Sequence, residues 1–172
     1  MPAFETRTDS PGETPEVPQD PCQHWRGILR FRMRSRIISI TIPEGVTSIG
    51  ISAFAGCESL QSITLPSTLT MIGNWAFNGC CNLRSIHIPN SVTSVGDRVF
   101  GSCKNLENVT LPSSLLYIGN LMFLECSKLQ SIDIPPSVNY IGYAAFMGCS
   151  ALKSLHIPEG VGYRYHRYHS RS

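Results

Sequence analysis

Apolar residues return along this chain on a step of 23. Proline recurs at Pro43, Pro66, Pro89, Pro112, Pro135 and Pro158, and glycine at Gly50, Gly73, Gly96, Gly119 and Gly142. Phenylalanine keeps the same step at Phe54, Phe77, Phe100, Phe123 and Phe146, and cysteine at Cys57, Cys80, Cys103, Cys126 and Cys149. Each unit reads L-x-x-I-x-I/L-P-x-x-V/L-x-x-I/V-G-x-x-x-F-x-x-C. Its opening, as in Leu83-Arg84-Ser85-Ile86-His87-Ile88-Pro89, alternates apolar with polar and is rich in β-branched residues. That pattern predicts a short strand with one buried face. The proline ends it, having no N–H for the ladder. A second extended piece follows, as in Val92-Thr93-Ser94-Val95-Gly96, and the glycine is expected to take a backbone turn that other residues resist. From glycine to cysteine the unit is short, which predicts a turn or a single helical turn with the phenylalanine plugging the middle of the coil.

A fixed period of this length belongs to stacked solenoids. One turn buries too little apolar surface to offset the entropy of ordering its own backbone, so neighbours must cover both flanks and complete the strand hydrogen bonds. With strands about 4.8 Å apart, repeated residues are expected to form straight ladders along the axis. On Leu60, Ile63, Leu65, Pro66, Leu69, Ile72, Gly73, Ala76, Phe77, Cys80 and their equivalents in later turns, the pattern resembles leucine-rich repeats as a superfamily. It is closer still to the 23-residue bacterial-surface type of the treponemal and BspA-like proteins, over roughly residues 27 to 161. The resemblance implies an α/β-like leucine-rich repeat solenoid, with a parallel sheet of one short strand per turn on one face. Short extended pieces and turns or single helical turns would fill the other faces. It also implies protein binding or adhesion without enzymatic activity. The commoner leucine-rich form carries an asparagine ladder after the strand. Here Thr68 and Ser91 stand near that place, so regular outer helices are not expected.

Composition changes the picture only at the ends. Residues 1–25 hold five acids against Arg7, and five of the twelve prolines fall within the first 21 residues. Such a segment buries too little to order itself and is expected to be a disordered tail. It is no signal peptide, being acidic and without an apolar run. No stretch approaches the roughly 20 apolar residues of a membrane span. These features assign the chain to the cytoplasm by default, whereas the family resemblance implies cell surface or secretion. Arg26, Arg30, Arg32, Arg34 and Arg36 come next, among Ile28, Phe31 and Met33. Stepping back 23 from Gly50, Phe54 and Leu60 lands on Gly27, Phe31 and Ile37, so residues 26–42 read as a degenerate capping repeat of a solenoid spanning 26–161. Residues 162–172 alternate aromatics with cations and are expected to be a tail without order. Between 37 and 161 the balance is five basic to seven acidic residues, which leaves no broad footprint for nucleic acid.

Seven cysteines invite a metal or disulfide reading. A zinc site wants ligand pairs at close spacing, and here the spacing is 23, with Cys81 beside the ladder and Cys22 in the tail. Buried free thiols acting as small apolar residues are the expectation. There is no Gly-rich phosphate loop, no G-x-S-x-G and no H-E-x-x-H, so no catalytic residue, cofactor or metal is assigned. Asp133 and His156 occupy equivalent strand positions in neighbouring turns and should face each other as a surface cross-strand pair. Asn108-Val109-Thr110 is a glycosylation sequon.

What remains is the outward strand face. One row runs Ser39, Ser62, Ser85, Asn108, Ser131, Ser154, a second Thr41, Thr64, His87, Thr110, Asp133, His156, and a third Gln61, Arg84, Glu107, Gln130, Lys153. Arg84, His87, Glu107, Thr110, Gln130, Asp133, Lys153 and His156 vary on an otherwise uniform scaffold and are the candidate ligand-binding residues. The leading expectation is a non-enzymatic module that holds a protein, or a glycan, along this face. Its rivals are a structural segment of a longer adhesin-like array, self-associating through open solenoid ends, and nucleic-acid binding through Arg26–Arg36.

Overall fold

Phenylalanines 23 residues apart in the text stand in one column in space. In the computed structural model, which describes residues 5–8 and 36–163, the ring centroids of Phe54 and Phe77 lie 5.4 Å apart, and those of Phe77 and Phe100 5.7 Å. Phe100 to Phe123 is 5.6 Å and Phe123 to Phe146 5.4 Å, with no pair of planes more than 11° from parallel. The spacing lies within the range of favourable aromatic pairs. All five rings are buried, surrounded by the isoleucines, leucines and valines of every turn.

Eleven short strands frame this column among the described residues. Glu5–Thr8 is β1 and Ile37–Thr41 is β2; Ser48–Ile49, Ser62–Thr64, Met71–Ile72 and Ser85–His87 are β3 to β6. Ser94–Val95, Asn108–Thr110, Tyr117–Ile118, Tyr140–Ile141 and Gly162–Tyr163 are β7 to β11. Strands β2, β4, β6 and β8 carry the first extended piece of successive turns, and β3, β5, β7, β9, β10 and β11 the second. Pairing is parallel at a shift of one repeat: Ile40 lies opposite Ile63, Ile86 opposite Val109, and Ile72 opposite both Ile49 and Val95. Period-2 alternation decides which side is buried, so Ile63 and Ile86 face the core while Ser62, Thr64, Ser85 and His87 face out. At 131–133 and 154–156, the equivalent places in the last two turns, no strand forms.

The segment from glycine to cysteine is a turn, and the described residues contain no helix. Alternate amides reach the next coil: Ser52 N–H donates to Asn74 O at 2.9 Å, Phe54 N–H to Ala76 O at 2.8 Å and Gly56 N–H to Asn78 O at 2.8 Å. The amides between them close tight turns, with Ala55 N–H on Ser52 O and Cys57 N–H on Phe54 O, both 3.1 Å. Left-handed residues make this possible, and they also recur every 23. One set is Ser52, Trp75, Arg98, Leu121 and Ala144, with φ between 49° and 59°. The other is Gly56, Gly79, Ser102, Glu125 and Gly148, with φ between 58° and 79°.

The repeated glycine therefore has a different cause from the expected one. Gly96 and Gly142 are not among the left-handed residues. Neighbouring coils instead approach so closely there that a Cβ on Gly96 would meet Asn74 N at 2.6 Å, and one on Gly142 would meet Asn120 N at 2.6 Å. Contact distance between backbones, not backbone freedom, excludes a side chain.

At the N-terminal end, β1 pairs antiparallel with β2, Thr6 opposite Ile40. Part of the segment expected to be a disordered tail thus covers the first strand's outer edge, which would otherwise offer unpaired N–H and C=O groups. The rest of residues 1–25, and residues 26–35 with most of the arginine stretch, lie outside the described residues; Arg36 is exposed. At the other end β11 pairs parallel with β10, so Gly162 and Tyr163 continue the solenoid. Residues 164–172 lie outside the described residues.

Three substitutions test this packing by chemical denaturation. Phe100→Ala removes one ring from the middle of the column and should cost about 3–5 kcal/mol. Gly96→Ala forces two backbones apart and should cost about 1–3 kcal/mol. Glu125→Gly relieves a left-handed residue where three other turns already use glycine, and should stabilise by about 0.5–1 kcal/mol.

Candidate functional site

The strand face projects its side chains from a backbone fixed on both sides. Gln61 N–H donates to Ile38 O at 2.8 Å, Arg84 N–H to Gln61 O at 3.4 Å, and Glu107 N–H to Arg84 O at 2.8 Å. Residues 61, 84 and 107 consequently stack in one row. Arg84, His87, Thr110, Gln130, Asp133, Lys153 and His156 are exposed, and Glu107 is half-buried. His87 lies opposite Thr110, and Ser85 opposite Asn108, in the paired strands β6 and β8. Gln130, Asp133, Lys153 and His156 hold the same repeat positions in the two turns where this strand does not form. The structure thus brings Arg84, His87, Glu107 and Thr110 together on a rigid sheet and carries the other four candidates on a looser continuation. Asp133 and His156 are both exposed there, outside any strand pair. Along the charged row the sequence is cation, anion, neutral, cation, above rows of small hydroxyls. Such a surface can offer in-register hydrogen bonds and single charges to a ligand lying along the axis.

The thiols point inward. Cys80 Sγ–H donates to Phe54 O at 3.1 Å, Cys103 to Phe77 O at 3.2 Å, Cys126 to Phe100 O at 3.1 Å and Cys149 to Phe123 O at 3.1 Å. Each cysteine thereby ties its turn to the carbonyl of the phenylalanine one coil back. Burial pushes the Cys103 thiol up to about 12 and the less enclosed Cys149 up to about 11. Burial also raises Cys80 and Cys126 well above the ordinary value, helped by neighbouring cysteines. The thiolate is the nucleophile and the metal ligand, so these groups serve as protonated donors. Cys81 differs: it is half-buried and donates to Ser102 O at 3.6 Å. Cys80, Cys81, Cys103, Cys126 and Cys149 are free thiols, and among the described residues no group of three His, Cys, Asp or Glu side chains is placed to hold a metal ion. Cys22 lies outside the described residues.

Two features escaped the reading of the sequence. An asparagine–aspartate ladder does exist, but directly after the repeated glycine rather than after the strand. Asn74 Oδ1 accepts from Asp97 N–H at 2.9 Å, Asp97 Oδ1 from Asn120 N–H at 2.8 Å, and Asn120 Oδ1 from Tyr143 N–H at 2.8 Å. Asn, Asp and Asn at glycine-plus-one in three consecutive units was the available signal. The second feature is apolar: Ile51, Met71, Trp75, Leu116, Tyr117, Tyr143 and Met147 are exposed on or just beyond the second strands. Averaging the repeat hides them, because each stands where other turns carry small or polar residues.

A family model described as the BspA type leucine rich repeat region matches residues 30–153 in six copies. Among solved structures, the chain is similar to the T. pallidum leucine rich repeat protein TpLRR at 36% identity and a TM-score of 0.67, over 70% of this chain and 59% of that one. A leucine-rich repeat protein from Bacteroides ovatus aligns at 32% identity and a TM-score of 0.58, over 74% of this chain and 39% of that one. The pneumococcal vaccine antigen PcpA aligns at 26% identity and a TM-score of 0.58, over 72% and 31% respectively. The chain therefore spans less than two thirds of each. Comparison with curated proteins gives no match. Among the described residues no helix is long and apolar enough to cross a membrane.

Burial of the ladder thiols makes the stability of the fold depend on pH. The folded chain keeps protons on its ladder cysteines that the unfolded chain, with thiols near the ordinary value of 9.0, releases. Stability from this source is complete below about pH 9 and falls as pH rises toward 12. Unfolding midpoints at about pH 7 and about pH 10 should differ, and Cys103→Ala should reduce that difference by about 1 kcal/mol. Native labelling with a thiol reagent in a Cys22→Ser background should reach Cys81 before any ladder cysteine.

Proposed function

This chain belongs to the BspA-type leucine-rich repeat family, and on that premise we propose that it is a non-enzymatic binding module that holds a protein ligand along its outward strand face. The family itself supports a binding or scaffold role. The observation that carries the finer reading is an in-register strand backbone at Arg84 and Glu107, continued without strand pairing to Gln130 and Lys153, that presents a varied row of outward side chains. Arg84, Glu107, Gln130 and Lys153 change charge from turn to turn while the residues beneath them do not. Arg84 and Glu107 set charge register, His87 and Thr110 supply hydrogen bonds beside them, and Gln130, Asp133, Lys153 and His156 extend the contact toward the C-terminal turns. A glycan would use the same hydroxyls and amides but would gain little from alternating charge, which favours protein. The binding unit on this reading is the solenoid, residues 26–161, with the flanking segments accessory to it.

A second reading makes the chain one segment of a longer surface array. It is supported by the small share of each similar structure that the chain spans and by likeness to a pneumococcal vaccine antigen, which also favours a place outside the cell.

The test is a combined charge reversal, Arg84→Glu, Glu107→Lys and Lys153→Glu, compared with the native chain for capture of proteins from source-cell extracts. Arg84 and Lys153 are exposed, Glu107 is half-buried and none of the three belongs to the core, so the circular dichroism spectrum and unfolding midpoint should hold. Loss of the captured protein, or roughly tenfold weaker binding, is expected; capture at native strength would contradict a role for this face.

A further inference from the structure

Strand β1 breaks two rules that the rest of the solenoid keeps. Among the described residues every other strand pair is parallel, whereas β1 runs antiparallel to β2. Its four residues, Glu5-Thr6-Arg7-Thr8, include no apolar side chain, so core burial does not hold it in place. It is therefore no worn coil of the repeat. It is an arm laid against the sheet, at the end of the order β1-β2-β4.

The strand that receives the arm is longer than stacking requires. β2 runs for five residues, Ile37–Thr41, while β4, β6 and β8 run for three each. Its parallel pairing with β4 sets Ser39, Ile40 and Thr41 opposite Ser62, Ile63 and Thr64. Pairing with β1 reaches further, to Ile37 opposite Thr8, across an irregularity that leaves Ile38 with no opposite residue in β1. Ile38 O accepts from Gln61 N–H of the next coil at 2.8 Å. Ile37 is thus paired by the arm and not by β4. Main-chain bonds of this kind depend little on side chains, which is how a sheet edge takes up an extended segment of another protein. The arm closes a loop of 28 residues, 9 to 36, and so long a loop gives it an effective concentration on the order of millimolar. A competing strand can match that.

We propose that the outer edge of β2 is a strand-addition site. It is occupied within the chain by β1 and opens, when β1 leaves, to an extended segment of a partner protein that docks antiparallel in its place. The partner's segment is a strand without proline, since a proline facing β2 has no N–H for the ladder. This site lies on an edge and not on the charged row of the strand face, so the two readings fail separately.

Hydrogen exchange read by mass spectrometry on the native full-length chain is the first test. An exchangeable arm should lose protection at residues 5–8 at least roughly tenfold faster than β4 does; exchange in step with β4 would make β1 a fixed part of the fold and overturn the proposal. The second test uses a labelled synthetic peptide of residues 1–10 and the full-length double variant Thr6→Pro/Arg7→Pro. Successive residues of a strand alternate in facing the neighbouring ladder, so one of the two prolines removes a bond to β2 whichever way the pair is phased. Thermal unfolding checks that the variant folds; if it does not, the exchange result on the native chain decides. The peptide should bind the variant at least roughly tenfold more tightly than the native chain, whose site is occupied, and should restore protection at residues 37–41. The same peptide with both prolines should not bind. Equal affinity for variant and native chain, or protection of β2 unchanged by the peptide, would overturn the proposal.

Discussion

Register between coils rests on amides that leave their own turn. In the glycine-to-cysteine segment, Phe77 N–H reaches Val99 O at 3.0 Å and Phe100 N–H reaches Met122 O at 2.9 Å, always 22 positions on. Those bonds hold each phenylalanine ring over the next, and the ring column fixes the distance at which the strands of adjacent coils can pair. A slip of one residue would turn Ile63 or Ile86 out to solvent and bury a serine or histidine. The same constraint explains why Gly96 and Gly142 admit no Cβ, and why Cys80, Cys103, Cys126 and Cys149 each find a carbonyl of the preceding coil.

Because the scaffold is uniform, what differs between turns stands out as surface. On the strand face the difference is charge, at Arg84, Glu107 and Lys153; beyond the second strands it is apolar bulk, at Trp75, Leu116 and Tyr143. Neither set contributes to the core, so neither is there to hold the fold. The end turns break the pattern too. β1 covers the edge that β2 exposes, and at 131–133 and 154–156 the first strand does not form.

Much of this was legible in the letters. The period predicted the solenoid, the alternation at Leu83–Pro89 predicted which side of the first strand is buried, and Phe54 to Phe146 were expected in a column and are found there. Inward-pointing cysteines followed from their place on the ladder. What did not follow were properties of pairs of coils rather than of one. The close approach at Gly96 depends on Asn74 in the coil before, and a glycine admits either explanation until both backbones are placed. The left-handed φ at Trp75 and Arg98 left no trace in residue type, since stacking overrides local preference there. The ladder from Asn74 through Asp97 to Asn120 was written in the sequence but looked like variable surface.

The most direct measurement of the central claim is scalar coupling across hydrogen bonds by NMR on labelled protein. Amides of Phe54, Phe77, Phe100 and Phe123 should each couple to the carbonyl carbon of the residue 22 positions ahead, namely Ala76, Val99, Met122 and Ala145. Couplings to residues four positions back, as in a helix, or to no carbonyl in a neighbouring coil, would contradict a solenoid locked in register by its turns.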